Sequence, residues 1–249
     1  MLEQEVLSTE EIRKQAEKKR KEGKLQQALQ NNLHISNLNL PNKFRSFESW
    51  ELAKSKRLLF EISREKNTYR RFPRGSIVKV DFGVNIGGEF SEQHFAITLN
   101  KKDNMYNNIL TVIPLTSKKH NDSISLKSLI VDMYLESLEK ESKELTKEIN
   151  NSQSITAERS KEFLERIDDI KKILDYYSTL KDNFSYALVN QIRTVSKLNV
   201  LPPINKYDIV NSAICSEGAM IKIDKAIVKK FVDLDYIAFE NWYDEQKNS

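Results

Sequence analysis

Apolar positions along this chain follow two different rhythms. Between residues 74 and 117 they come in short runs, at 77–82, 95–99 and 109–113. In the first run Ile77, Val78, Val80 and Phe82 interleave with Lys79 and Asp81, the alternation of a half-buried strand. Turn-forming residues separate the runs: Gly83, Asn85, Gly87 and Gly88 after the first, and the asparagine-rich stretch 100–108 after the second. Two later runs, at 186–189 and 192–195, extend the strand pattern, and a short one at 123–126 suits a fourth small strand.

Elsewhere the rhythm is helical. Ser8 or Thr9, followed by Glu10 and Glu11, caps a helix carrying Ile12, Ala16, Leu25, Leu29 and Leu33, and Gly23 weakens its middle. Residues 38–41 (LNLP) break it, and a second helix starts near Ser46 with Phe47, Trp50, Leu58, Leu59 and Ile62 on its apolar face. Two long polar helices follow the short strand. Val131, Tyr134, Leu138, Leu145 and Ile149 line the first, and Phe163, Ile167, Ile170, Leu174 and Tyr177 step along the second as a heptad seam. A turn at 150–154 joins them, and Thr156 with Glu158 opens the second helix. After the break at Leu201-Pro202-Pro203, a last helix follows Ser216-Glu217-Gly218, with Ile221, Ile223, Ile227, Val228 and Phe231 for burial and Trp242 and Tyr243 packing its end. The fold class is α+β, with an N-terminal helical extension over 1–72 and a second domain over 73–249, interrupted by a helical hairpin at about 127–182.

Charge adds little to this until it is located. The net formal charge is +4, but residues 1–74 hold 17 Lys and Arg against 10 acidic residues. A local basic face is therefore a property of the N-terminal part. The run Lys18-Lys19-Arg20-Lys21 reads as a solvated helix face, with RNA contact as the alternative. One cysteine, Cys215, excludes an internal disulfide, and three histidines without HxxxH spacing point to no metal and no cofactor. No run approaches the ~18 apolar residues of a membrane span, and no signal peptide is apparent, so a cytoplasmic location without membrane contact is expected.

The strand ends carry the reactive side chains. Glu89 follows the glycine pair, His94 opens the second strand, and Thr116 and Ser117 close the third. If those two strands are antiparallel neighbours, His94 stands near Thr116 and Ser117, with the Gly-rich loop folding Glu89 over them. An imidazole suits proton transfer near neutrality, the hydroxyls can donate to phosphate oxygens, and Glu89 can orient His94 or raise its pKa. Each has a bland alternative, since histidines are more often structural and strand-end hydroxyls often only terminate strands. Lys118, Lys119 and His120 follow directly, and Arg74 enters the first strand, so these are candidate contacts for a phosphate backbone.

Four blocks carry a resemblance. RGSIVKVDF (74–82) resembles the opening strand of the MazF/PemK toxin ribonucleases, IGGE (86–89) their "xGSE" loop, VIPLTS (112–117) their "VVPLTS" strand end, and ALVNQIRTVSK (187–197) their "ALVDQIRTVSK" strand. The resemblance implies a small SH3-like barrel, into which the hairpin would be an insertion. It also implies sequence-selective cleavage of single-stranded RNA, a homodimer, and a small antitoxin partner in a toxin–antitoxin or phage-defence pair. By their match to the family's QIRT strand, Gln191 and Arg193 are expected to support the loop or the RNA. One departure stands out: where the family has Arg-Pro, this chain has His94-Phe95, which moves proton transfer onto His94 if activity is kept. Two alternatives follow from the same resemblance: a gyrase-poison-like protein binder of the same fold, and an inactive RNA-binding barrel.

Overall fold

The run at 77–82 does form a strand, but one covered on both faces. In this computed structural model β1 (Ile77–Asp81) buries Ile77 to one side and Val78 and Val80 to the other, and Asp81 is buried as well, accepting the Gly83 amide at 3.1 Å. The half-buried reading missed that two separate apolar clusters flank this sheet. The structure describes residues 9–38, 40, 42–65, 68–127, 129–150, 156–177, 185–233, 241 and 245. The expected cap at Ser8, the turn at 151–154 and the packing of Trp242 and Tyr243 lie outside them, as do the side chains of Ile12, Val131, Leu174 and Tyr177. The chain divides into two units, Met1–Leu58 and Leu59–Ser249.

The sheet is antiparallel and six-stranded. β2 (Gln93–Thr98) lies between β1 and β3 (Ile109–Thr116). The other edge of β3 is shared: its start pairs with β6 (Arg193–Ser196) and its end with β5 (Tyr186–Leu188), which in turn pairs with β4 (Ser123–Ser125). A 3-10 turn over Val189–Gln191 separates β5 from β6. Among the described residues no ladder returns from β4 to β1, so the sheet is open. The outer edge of β1 is instead met by the 200–215 segment, through Leu201 N to Lys79 O at 2.8 Å, Asn211 N to Ile77 O at 2.8 Å and Ile77 N to Ala213 O at 2.9 Å. Satisfying these edge groups removes a template for aggregation.

Helices cover one face of the sheet. Ile130 and Tyr134 of α3 (Leu129–Asn150), Ile173 of α4 (Ala157–Tyr177) and Ile223 of α5 (Glu217–Phe231) pack with Ile77, Ile97, Ile113, Leu115 and Ala187. Fully burying each such side chain is worth about 1.5–3 kcal/mol. The opposite face gathers Phe72, Val78, Val80, Phe82, Ala96, Leu110, Val112 and Val195 into a smaller cluster. Thr156 starts α4 as expected, accepting the Arg159 amide at 3.3 Å, and Ser216 caps α5 through the Ala219 amide at 3.3 Å.

The expected heptad seam of α4 is displaced. Ile167 is exposed, while Phe163 and Ile173 are buried and Arg166 turns inward to bridge Glu141 and Glu148 of α3. The seam thus follows residues 163, 166, 170 and 173, and a charged residue with two carboxylate partners takes one of its places. Tyr134 anchors α3 to the 200–210 segment by donating to Asp208 Oδ1 at 2.6 Å.

In the first unit α1 (Thr9–Ser36) runs unbroken through Gly23, with Leu25, Leu29 and Leu33 exposed. The basic run at 18–21 is exposed too, with Lys21 paired to Glu17 at 2.8 Å. Of the apolar face expected on α2 (Phe47–Ser63), Phe47 is buried, whereas Leu58, Leu59 and Ile62 are exposed. Among the described residues no helix is long and apolar enough to cross a membrane.

Gly75 offers a direct stability test. It has φ +83°, and a Cβ there would lie 3.3 Å from Ile214 Cγ2 and 3.4 Å from Met220 Sδ. Gly75→Ala should therefore cost about 1–2 kcal/mol from the left-handed backbone alone, read as a lowered urea midpoint.

Candidate functional site

The register of the sheet decides which side chains meet. Val80 pairs with His94, and Ala96 pairs with Pro114, where the ladder between β2 and β3 ends because proline has no N–H to continue it. Two residues further along β3, Thr116 pairs instead with Tyr186 of β5, and His94 lies two residues before Ala96 on β2. Directly opposed residues project from the same face. Val112 opposes Arg193, so Val80, His94, Ala96, Val112, Arg193 and Thr116 share the face of the smaller apolar cluster.

Aromatic packing ties this corner together. The Phe90 ring lies 4.4 Å from the His94 ring at 48° and meets Phe82 edge-on at 5.3 Å. Arg193 donates weakly to the Phe90 carbonyl at 3.5 Å, its guanidinium 6.0 Å from the Phe82 ring. The Gly-rich loop is braced from two sides. Gln191 accepts the Phe90 amide at 3.2 Å and donates to Gly88 O at 3.1 Å, and the Asn85 amide donates to Phe82 O and Phe90 O at 2.8 and 2.7 Å. Gln191 thus supports the loop, one of the two roles expected for it. Gln191→Ala should speed hydrogen exchange at the Phe90 amide by roughly fivefold, the equivalent of about 1 kcal/mol for one hydrogen bond.

Other residues singled out in the sequence are placed as follows. Glu89 is exposed on the loop, its carbonyl accepting from Ser91 Oγ at 3.1 Å. Thr116 is half-buried, and its Oγ1 accepts the Lys118 amide at 3.2 Å. Ser117, Lys118, Lys119 and His120 are exposed on the turn that follows, closed by His120 N donating to Ser123 Oγ at 3.0 Å. Arg74 is not part of this corner. It pairs with Asp224 of α5 and donates to Leu99 O, at the end of β2 away from His94, some five residues or roughly 17 Å along the strand. Its partner lies 150 positions on in the sequence, which is why spacing could not reveal that role.

Electrostatics single out a different carboxylate from the expected one. Burial lowers the His94 pKa below its usual 6.5; the Glu92 charge partly offsets this, and Lys79 adds to it. Glu92, three residues beyond Glu89, is therefore the acidic group whose field reaches the imidazole. A signal for it was present in the sequence, since it lies two residues before His94, but the family's loop pattern drew attention to Glu89. Among the described residues no group of three or more His, Cys, Asp or Glu side chains converges to hold a metal ion.

No protein-family model matches this chain, and no curated protein matches it.

Proposed function

We propose that the chain is a metal-independent endoribonuclease of the MazF/PemK type, acting on single-stranded RNA as the toxin of a toxin–antitoxin or phage-defence pair. In this reading its open sheet is a helix-decorated form of the family's small SH3-like barrel. It works in the cytoplasm as a homodimer, restrained by a small antitoxin. The observation that carries the reading is one shared sheet face, from which His94 of β2, Thr116 of β3 and Arg193 of β6 all project. His94, neutral near pH 7, takes the proton of a 2′-hydroxyl. The O2′–P bond then forms and the P–O5′ bond breaks, and the 5′ oxygen leaves with a proton from water. Arg193 and the Thr116 hydroxyl donate to the phosphorane oxygens, where charge develops. Lys118 and Lys119 track the backbone on either side.

The test is incubation of the purified chain with a long RNA in the presence of a chelator. Discrete fragments ending in 2′,3′-cyclic phosphate are expected. Intact RNA with inhibited supercoiling would replace this reading with a gyrase-type protein binder, and retarded but uncut RNA with an inactive RNA-binding protein.

A further inference from the structure

We infer that a cavity against Lys79 and Tyr176 is a nucleobase subsite, and that it takes guanine or uracil from the same single-stranded RNA. This deepens the ribonuclease reading and rests on it for the identity of the ligand, though not for its test.

The cavity, of about 260 Å³, lies where three parts of the second unit meet. Neighbouring strands β1 and β2 supply Lys79 and Gln93, the last turn of α4 supplies Tyr176, and Leu201, Ile204 and Val210 form an apolar wall. These parts are tied to one another. Leu201 N donates to Lys79 O at 2.8 Å, and the Asn205 side-chain amide donates to Asp169 O of α4 at 2.8 Å. The cavity is therefore preformed. Its volume lies below the ~300–1,000 Å³ of sites for drug-sized ligands and suits a single ring system.

The lining decides which ring. Lys79 and Asp208 are its charged residues, one of each sign, so the cavity offers no net charge to hold a free anion. Asp208 is buried, and its oxygens accept from the Tyr134 hydroxyl at 2.6 Å, the Ile204 amide at 2.9 Å and the Val210 amide at 3.0 Å, so its charge is held by the fold. Lys79 differs. It is half-buried and has no ion pair among the described residues, and its ammonium donates to the Tyr176 hydroxyl while lying 4.6 Å from the centre of that ring. Tyr176 is 49% exposed, and an exposed aromatic ring beside an apolar wall is a platform on which an unpaired base stacks. An ammonium has donors only. It binds the O6 of guanine or the O4 of uracil and rejects the amino group that adenine or cytosine carries at that place. The Gln93 amide both donates and accepts, so the choice of base falls to the lysine.

The cavity also has a geometric relation to the proposed site. Gln93 and His94 are the first two residues of β2 and project from opposite faces, so the cavity rim and the imidazole are carried on adjacent residues at one end of the strand. RNA bent across that end brings a phosphate to His94 and a nearby base to Tyr176. Because Tyr176 belongs to α4, the helical hairpin gains a part in selecting the sequence that is cut.

The experiment uses 2′-O-methyl RNA pentamers with four cytosines around one variable central base, which lack the 2′-hydroxyl proton and report binding alone. Fluorescence anisotropy gives their affinity for the full chain, and the methyl NMR signals of Ile204 and Val210 report whether the cavity is occupied. Pentamers with central guanine or uracil should bind about tenfold more tightly than those with adenine or cytosine and shift both methyl signals. Lys79→Met should erase that preference, and Tyr176→Leu should weaken the guanine and uracil pentamers about tenfold. Equal affinity for all four centres, unmoved methyl signals, or full affinity in Tyr176→Leu would overturn the assignment. Tyr176 is exposed, so its variant keeps the test decisive even where Lys79→Met does not fold. If the pentamers bind as expected but a long RNA stays intact, the subsite stands and the ribonuclease reading falls. Cleavage of long RNA without base preference in the pentamers does the reverse.

Discussion

Replacing Lys197 with methionine should lower the free energy of unfolding by about 3–5 kcal/mol, the largest single-residue effect expected in the second unit. The Lys197 side chain is 2% exposed and that of Asp103 is fully buried, with Nζ 2.8 and 2.7 Å from the two carboxylate oxygens. The ammonium also donates to Asn104 O at 3.1 Å, and the carboxylate accepts from the Phe72 amide at 2.9 Å and Asn107 at 3.2 Å. Removing the lysine leaves a buried ionised carboxylate with its counter-ion gone, which is costlier than never having buried a charge. The double variant Lys197→Met with Asp103→Leu should recover much of the loss, and a urea midpoint series on the three proteins tests this. A fully additive double loss would show that the two sites act separately. Burial pushes the Asp103 pKa up, but the bonds from Lys197, Phe72 and Asn107 outweigh it and hold it below the usual 3.8. The proton therefore binds the unfolded chain more readily, so this contribution is complete above pH 3.8 and is lost as pH falls below it.

That buried pair marks where sequence reading stops. Lys197 closes a family-like block and Asp103 sits in an asparagine-rich turn, 94 positions away. Charged residues in such settings are nearly always solvated, and only the fold brings these two together. The same limit applies to Arg74 and Asp224, and to Arg166, which occupies a seam position that an apolar periodicity assigned to Ile167. What local chemistry does specify came through well: β1, β2 and β3 follow from apolar runs separated by glycine- and asparagine-rich turns, and β4, β5 and β6 from the short runs at 123–126, 186–189 and 192–195. The start of α4 at Thr156 was equally legible, because a cap is satisfied within three residues, whereas α5 begins at Glu217, with Ser216 as its cap, slightly earlier than the expected start after Gly218. That the strands of His94 and Thr116 are antiparallel neighbours was legible only as a conditional, since strand order is a property of the whole sheet. Glu92 was passed over although it stands two residues before His94, because the loop pattern points to Glu89.

His94→Ala should reduce RNA cleavage by about 10²–10⁴-fold, the range expected for losing a positioned proton-transfer group. The pH dependence gives this prediction its specificity. Burial, with a smaller contribution from Lys79 and against the opposing field of Glu92, keeps the imidazole pKa below 6.5, so the base form dominates at neutral pH. The acid limb of the cleavage rate should accordingly have its midpoint below 6.5, and His94→Ala should abolish that limb along with the rate. A structural histidine predicts a different result: cleavage would survive in His94→Ala in proportion to the folded fraction, with the limb intact. Stability carries the same signature with its own sign. Because the folded chain binds the His94 proton less readily than the unfolded chain, the stability contributed is present above pH 6.5 and is lost as pH falls from there toward the folded value. Urea midpoints at pH 7.5 and 5.5 should therefore diverge more in the parent than in His94→Gln. This window lies well above that of Asp103, so the two titrations separate cleanly on one pH axis.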